Sequence, residues 1–526
     1  MKATHTIATI TALICTLPVF AQYAWQTGET AEPLKLTDNV EYAAEMQASV
    51  SDGKTPLWLN ANKHGMSSLE SFNGYLRGKI ARPIETDSAR RLAVGYGIDI
   101  ALAANYTSTI VLQQAYVEAR WLHWGLSIGA KERPMEFKNQ QLSSGSQCFG
   151  INARPIPQIR TGLPQWWALP LTKRWVSIRG GISFGMMTDD SWQHSFTNRE
   201  SRYADNVLFH SKGAFIKFGS EQKFPLTLQL GGELGAQFGG TLYYLDLETG
   251  TMASRKGGSS AKDFLDVFTG IGGGDETDGE YKNVAGNQLG AYMARLTYTH
   301  PAFMLSAYLD HYFEDHSQML FLDYDGYGEG DAYNERLTNR YYHYRLKDAL
   351  WGLELNLKHG TWIKDIVVEY LYTKNQSGPY NHDHTRNISD HMAGKDDYYN
   401  HTNYTGWQHW GQVIGNPLYR SPIYNDDGTI FVKNNRFQAV HIGIAGQPLE
   451  KLSYRLLASW QDGLGRYDDP YTYVHDNVSI LCEATYQLPK SWSIKCGIGL
   501  DTGDIIGNNT GLQLTVRKTG ILGKKM

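Results

Sequence analysis

From residue 207 to its end, this chain alternates short and long links between segments whose apolar residues recur at every second position. In 225–237, Leu226, Leu228, Leu230, Leu234 and Ala236 share one face and Thr227, Gln229, Glu233 and Gln237 the other. The same two-residue period runs through 454–461, 478–487, 492–501 and 512–517. It is the period of a β-strand with unlike faces, not of a helix. An antiparallel sandwich would alternate too, so link length decides the matter. Short links fall near 220–225, 300–301, 358–361, 447–450 and 488–491, and long ones near 239–287, 314–347, 375–436, 462–473 and 503–509. Short turns on one side and long loops on the other are what an outer-membrane β-barrel needs: periplasmic turns, extracellular loops and both termini in the periplasm. A sandwich has no reason to keep that parity.

Further strands are read near 40–50, 72–82, 91–104, 109–121, 123–131, 148–160 and 174–188, for a total of about 18. The expected fold is therefore all-β, a transmembrane antiparallel barrel over 40–526 with an even strand number. Gly 54, Tyr 33 and Trp 14 suit closely spaced strands with aromatic girdles. Mean hydropathy is −0.42, and beyond residue 21 no run of about 18 apolar residues offers a helical span.

The first residues read as an export signal: Lys2, an apolar stretch from Ile7 to Leu17, then Pro18-Val19-Phe20-Ala21 before Gln22. Ile14 before Cys15 is too large for lipoprotein processing. Domains are thus 1–21 signal peptide, 22–39 a short periplasmic segment, and the barrel. Nothing in the net charge of −4 points to a nucleic-acid partner, whose phosphates would demand a basic surface. Cys148, Cys482 and Cys496 form neither a disulfide framework nor a C-x-x-C pair.

Motifs that elsewhere carry chemistry fall in the wrong context. Gly125-Leu126-Ser127-Ile128-Gly129 and Gly181-Ile182-Ser183-Phe184-Gly185 match the nucleophile-elbow pattern. The elbow needs a strand-to-helix turn, whereas both lie inside alternating strands and read as small residues of an inner wall. Gly270-Ile271-Gly272-Gly273-Gly274 has no helix after it, so it reads as a loop, not a phosphate cradle. His382, His384 and His391 have no dedicated metal geometry. No catalytic set, metal or cofactor is expected. The longest loop does offer a binding composition: Tyr398, Tyr399, Asn400, His401, Tyr404, Trp407 and Trp410 combine flat apolar faces with polar groups, as carbohydrate recognition requires. The bland alternative is a self-packed cap with Trp407 and Trp410 as its core.

Several ordered patches together resemble the capsule assembly family called Wzi, in its Bacteroidetes form. They are Thr55-Pro56-Leu57-Trp58-Leu59 with Ala61-Asn62-Lys63-His64-Gly65; Asn73-Gly74-Tyr75-Leu76-Arg77; Asn152-Ala153-Arg154-Pro155-Ile156-Pro157-Gln158-Ile159-Arg160; Tyr398-Tyr399-Asn400-His401 with Gly406-Trp407; Ile414-Gly415-Asn416-Pro417-Leu418; Asn434-Asn435-Arg436; and Tyr454-Arg455-Leu456-Leu457-Ala458-Ser459. The resemblance implies a plugged barrel of about 18 strands that binds surface polysaccharide and helps hold a capsule, without catalysis or organic cofactor. Its partners would be capsular polysaccharide and outer-membrane lipid, and the protein would be monomeric. The alternative is a porin-like diffusion channel whose lumen carries Glu483, Lys495 and Arg517. A surface protease or phospholipase and a TonB-dependent transporter fit less well, the former for want of a Ser, His and Asp set.

The hairpin 478–501 carries a register expectation. Both strands put even-numbered residues on the apolar face, so opposed numbers must have like parity. A turn over Leu488 to Lys490 would oppose Glu483 to Lys495 and Cys482 to Cys496, with either thiols or a disulfide at the latter pair. The topology predicts that protease added to intact cells cuts the loops starting near 240, 315, 376 and 463 and spares 220–225 and 447–450. Cleavage at the short turns would reverse it.

Overall fold

The computed structural model describes residues 34–523 apart from 221–223, 271, 279–280, 285, 315–319, 344–346, 379, 383–390 and 394. The signal-peptide reading and His384 lie outside the described residues. Eighteen strands form one antiparallel sheet. They are β1 (Glu41–Asp52), β2 (Phe72–Arg82), β3 (Leu92–Ala104), β4 (Ile110–Trp121), β5 (Trp124–Ala130), β6 (Gln158–Ala168), β7 (Val176–Met186), β8 (Leu208–Phe218) and β9 (Leu226–Phe238). They continue as β10 (Asn287–Thr299), β11 (Phe303–Glu314), β12 (Ala349–Leu357), β13 (Asp365–Tyr372), β14 (Phe437–Leu449), β15 (Leu452–Gly465), β16 (Pro470–Leu488), β17 (Trp492–Gly503) and β18 (Asn509–Ile521). Each strand pairs with its sequence neighbours, and β1 also pairs with β18, from Glu41 opposite Ile521 to Asp52 opposite Thr510. Closure leaves no edge with unpaired backbone groups, the condition for strands to sit in hydrocarbon.

The burial pattern is that of a soluble protein turned inside out. On β18, Leu512 and Leu514 are exposed, whereas Gln513 and Thr515 between them are buried. On β17, Ile498 and Leu500 are exposed and Asp501 is buried. The apolar outer band meets lipid; the polar face meets whatever fills the lumen. No described helix is long and apolar enough to cross a membrane.

Three expectations change. The sixth strand is Gln158–Ala168 instead of 148–160. Residues 148–157 are bends and irregular chain that bond elsewhere: Gly150 N–H donates to Ile414 O (2.9 Å) and Ile151 O accepts from His64 N–H (2.6 Å). Their apolar residues imitate a strand because they pack inside the lumen, not because they pair with the wall. The strand that replaces them contains Pro164, which removes a ladder donor, and its register with β7 shifts between Leu163 and Trp167.

The second change is the register of the hairpin formed by β16 and β17. Like parity holds, but the turn is Pro489 to Ser491, so Leu488 opposes Trp492, Glu483 opposes Gly497 and Cys482 opposes Ile498. Lys490 and Ser491 both adopt left-handed backbone (φ 59° and 56°), which closes the turn one residue later than expected. Glu483 and Lys495 still share the inner face and form an ion pair at 3.5 Å, joined by Arg455 at 3.3 Å. Cys482 and Cys496 are free and exposed on the outer face, without being directly opposed. Third, β15 and β16 extend farther outward than expected, so position 463 is strand and only 466–469 links them.

Leu514 lies near the middle of β18 with its side chain outward. Leu514→Arg should cost about 2–4 kcal/mol in urea unfolding from lipid vesicles, because a cation is placed against hydrocarbon. Leu247→Arg, in a loop where Leu247 is 90 % exposed, should be near neutral. Equal effects would mean that the apolar band is misplaced.

Candidate functional site

Three segments from the long-loop side turn inward and fill the barrel: 55–66, 131–157 and 395–436. The first begins with Pro56 and a single helical turn, α1 (Leu57–Asn60), whose residues are all buried. Bare wall makes room for it: a Cβ on Gly499 would sit 2.9 Å from Leu59 Cγ. Trp407 in the third segment needs the same accommodation, since a Cβ on Gly235 would approach its ring to 2.4 Å.

Loops crossing a lumen carry backbone N–H groups that no ladder satisfies, and the wall supplies acceptors for them. On β13, Glu369 accepts from Ser143 Oγ (2.6 Å), Ser144 N–H (2.7 Å) and Tyr308 O–H (2.6 Å). On β11, Asp310 accepts from Gln147 N–H (3.0 Å) and pairs with buried Lys138 (3.0 Å). Glu314, two turns of the pleat further out, accepts from Tyr399 N–H (2.8 Å) and Tyr312 O–H (2.6 Å). Asp501 on β17 accepts from Leu57 N–H (2.9 Å). Gln113 on β4, half the barrel away from β13, donates to His64 O (2.9 Å). Asp348, just before β12, accepts from Asn375 N–H (3.0 Å), Gln376 N–H (2.7 Å) and Tyr398 O–H (2.7 Å).

The three segments also bind one another, so the wall contacts join across the lumen. Asn416 donates to Ser144 Oγ and Gly145 O (3.1 Å each), and Asn152 donates to Val413 O (3.0 Å). Asn62 N–H donates to Asn152 Oδ1 (3.1 Å), and Asn60 donates to Tyr424 Oη (3.3 Å). Trp407 donates its indole N–H to Cys148 O (2.8 Å) and stacks on Phe209 at 5.5 Å between ring centres.

The carbohydrate-binding expectation named Tyr398, Tyr399, Asn400, His401, Tyr404, Trp407 and Trp410. The structure brings them into one segment but buries most of them. Tyr398, Tyr399 and Trp407 are 0 % exposed, and Asn400 and Tyr404 are buried too. Tyr399 stacks on Tyr419 at 4.1 Å, and burial pushes the phenols of Tyr398 and Tyr399 up. As placed, these residues are the plug's interior and offer no open face. For Trp407 the self-packed reading describes the packing. Trp410 and His401 are different, being half-buried. Trp410 lies under the Arg154 guanidinium at 4.3 Å. Burial, with Arg202 and Arg255 beside it, holds the His401 imidazole down at about 3, so it is neutral at physiological pH.

Sequence reasoning missed the aromatic residues at the outer rim. Tyr467 is stacked by Arg436 at 3.5 Å. His475 stacks on Tyr471 at 3.9 Å and tilts against Tyr473 at 4.6 Å, and Tyr473 is 61 % exposed. Asp468 and Asp469 lie in the adjoining link. The signal was present: Tyr471, Tyr473 and His475 recur at every second position, but Tyr471 and Tyr473 fell where a loop was expected and His475 before the strand read at 478–487. The motif serines are wall residues, Ser183 bonding Ser211 (2.6 Å) and Ser127 accepting from Arg133 (3.3 Å). His382 opposes His391 in a short two-stranded piece, and no group of three metal-ligating residues occurs among the described residues.

A closed, lipid-banded barrel of eighteen strands defines the class: this is an outer-membrane β-barrel. No family model matches the chain, and no curated protein sequence does. Among solved structures it is similar to Wzi of Escherichia coli, described as an outer membrane protein involved in Group 1 capsule assembly and a carbohydrate-binding β-barrel. That likeness has 13 % identity, covers 90 % of this chain and 83 % of the other, and has a TM-score of 0.51. OprD of Pseudomonas aeruginosa matches at 9 % identity over 92 % and 96 % of the two chains with a TM-score of 0.42. OccK10 of the same organism matches at 10 % over 92 % and 99 % with 0.44. At 13 % identity the likeness to the first of these speaks for the barrel fold alone.

Trp407→Ala should destabilise the folded barrel by about 3–5 kcal/mol, as expected for emptying a closely packed indole site. Trp410→Ala should cost much less. Equal costs in denaturant titrations would contradict the distinction between plug interior and plug surface.

Proposed function

We propose that this protein is a non-enzymatic, monomeric outer-membrane barrel that binds surface polysaccharide and helps retain a capsule on the cell. The observation that carries the reading is the hydrogen-bonded plug: side chains of β4, β11, β13 and β17 hold inward segments that also hold one another. A diffusion channel needs a continuous water path, and a plug bonded to opposite walls opposes one. The likeness to a carbohydrate-binding barrel supports the same direction. The sugar-contacting surface in this reading is the outer rim, where Tyr467, Tyr473 and His475 offer ring faces beside the carboxylates of Asp468 and Asp469. Half-buried Trp410 and His401 are further candidates on the plug itself.

Ring faces with adjacent hydrogen-bonding groups suit pyranose stacking, and the contacts stay shallow enough for a long polymer to lie across them. Deleting the gene should release capsule into the medium while total polysaccharide stays constant. Restoring the gene with Tyr467→Ala, Tyr473→Ala and His475→Ala together should leave the barrel heat-modifiable but fail to restore retention. Capsule that remains cell-bound in the deletion strain would remove the proposal, and full rescue by the triple variant would move the binding surface elsewhere.

A further inference from the structure

Beneath the plug the lumen is open. A cavity of about 360 Å³ runs from Glu85 and Gln165, near the periplasmic ends of the strands, up to Phe149 and Ile414 on the plug's underside. Its size falls in the range of about 300–1,000 Å³ common to small-molecule sites. Part of its wall is glycine, Gly125, Gly162, Gly180 and Gly181. Arg160 lies along this wall, its Nε 3.4 Å from where a Cβ on Gly181 would sit, an ordinary contact distance.

The charges lining the cavity do not cancel locally. Lys131 is matched by Glu118 at 2.6 Å, and Arg179 is paired with Glu136. Glu132 is taken by Arg77 at 3.0 Å. Arg120 donates to the carbonyl oxygens of Leu122 and Asp87, and Arg154 donates to Thr107 Oγ1 and covers Trp410. Arg133 and Arg160 are left. Among the described residues no carboxylate lies within ion-pair distance of either. Arg133 reaches only the Ser127 hydroxyl, at 3.3 Å, and its buried Nε–H has no acceptor. The two guanidinium groups are near enough to repel each other, and Glu118 attracts Arg133 while Glu233 and Glu136 attract Arg160, in each case from beyond ion-pair distance. Among the lining carboxylates neither Glu85 nor Glu233 makes an ion pair, and one oxygen of Glu233 is buried without a partner.

Two unmatched guanidinium forks in a cavity are costly unless an anion meets them, and a planar or tetrahedral oxyanion can accept from both. We propose that this cavity is a binding site, entered from the periplasm, for an oxyanion carried on a sugar-sized body, either a uronate carboxylate or a sugar phosphate. Arg133 and Arg160 take the anion. The ring edge of Phe149 and the glycine wall leave room for the saccharide, and Glu233 faces the sugar hydroxyls, for which a carboxyl group is a suitable partner. This site is separate from the outer rim and does not rest on the capsule-retention reading.

Isothermal titration of the purified full-length barrel in detergent tests it, with D-glucuronate, glucose 6-phosphate and neutral glucose as separate probes. At least one of the two anions should bind saturably at millimolar concentration and glucose should not; which anion binds decides between carboxylate and phosphate. Arg133→Gln with Arg160→Gln should weaken that binding by about tenfold or more, equivalent to 1.4 kcal/mol or more. Arg160→Gln alone should weaken it less, and Lys433→Gln at the outer surface should leave it unchanged. Variants are compared only where heat-modifiable migration shows a folded barrel, and the single variant carries the comparison if the double one does not fold. No saturable binding of either anion, equal binding of glucose, or undiminished binding in the arginine variants would each overturn the proposal.

Discussion

Carboxylates on the inner wall, accepting backbone N–H groups from loops that have no strand partner, are the contacts on which this structure depends. A chain segment crossing a barrel lumen loses water from its amides without gaining a ladder, and each unsatisfied buried amide is expensive. Glu369, Asp310, Glu314 and Asp501 resolve that cost with charge-assisted bonds, the stronger kind. Each of these carboxylates would itself be costly in a low-dielectric interior were it not bonded to several donors. Loop and wall are therefore mutually dependent: the wall is polar because the plug needs acceptors, and the plug is ordered because the wall provides them.

That dependence explains the division of the chain into two kinds of interior. The outer face of the barrel buries its apolar residues in lipid, while the conventional core of Trp58, Tyr312, Tyr399, Tyr419 and Trp407 lies inside the lumen. The plug core rests on inward-pointing wall residues such as Leu481 and Leu457, which break the polar rule of the inner face. Between plug and periplasmic mouth the packing stops, and the unmatched arginines lie in the space that remains.

The barrel was legible in the sequence because its signal is topological. Strand faces follow from alternation and the sidedness of links from their alternating lengths, and the strand pattern survives at β5 and β7 despite the motif-like serines. What was not legible depends on contacts between distant residues. Residues 148–157 read as a strand although only Phe149 and Ile151 are large apolar residues at strand spacing, and their partners are Ile414 and His64. The turn after Leu488 was misplaced because no sequence rule anticipates left-handed backbone at both Lys490 and Ser491. Tyr398, Tyr399 and Trp407 drew attention as sugar-binding types, since aromatic and amide groups that pack a plug have the composition of those that hold a sugar. The residues that carried the family resemblance largely prove to be plug residues or their anchors: Asn62, Asn152 and Asn416 bond across segments, and Asn435 ties its own segment together by donating to Tyr398 O. Such asparagines supply a donor and an acceptor from one short side chain, which a segment without secondary structure requires.

Single-channel recording in planar bilayers tests most directly whether wall carboxylates keep the lumen closed. The account predicts little or no current through the native barrel. It predicts stable conductance steps once Asp310→Ala and Glu369→Ala together remove the acceptors of the 131–157 segment, provided that the barrel still shows heat-modifiable migration. Steady porin-like steps through the native protein, or a folded double variant that stays as closed as the native one, would contradict it.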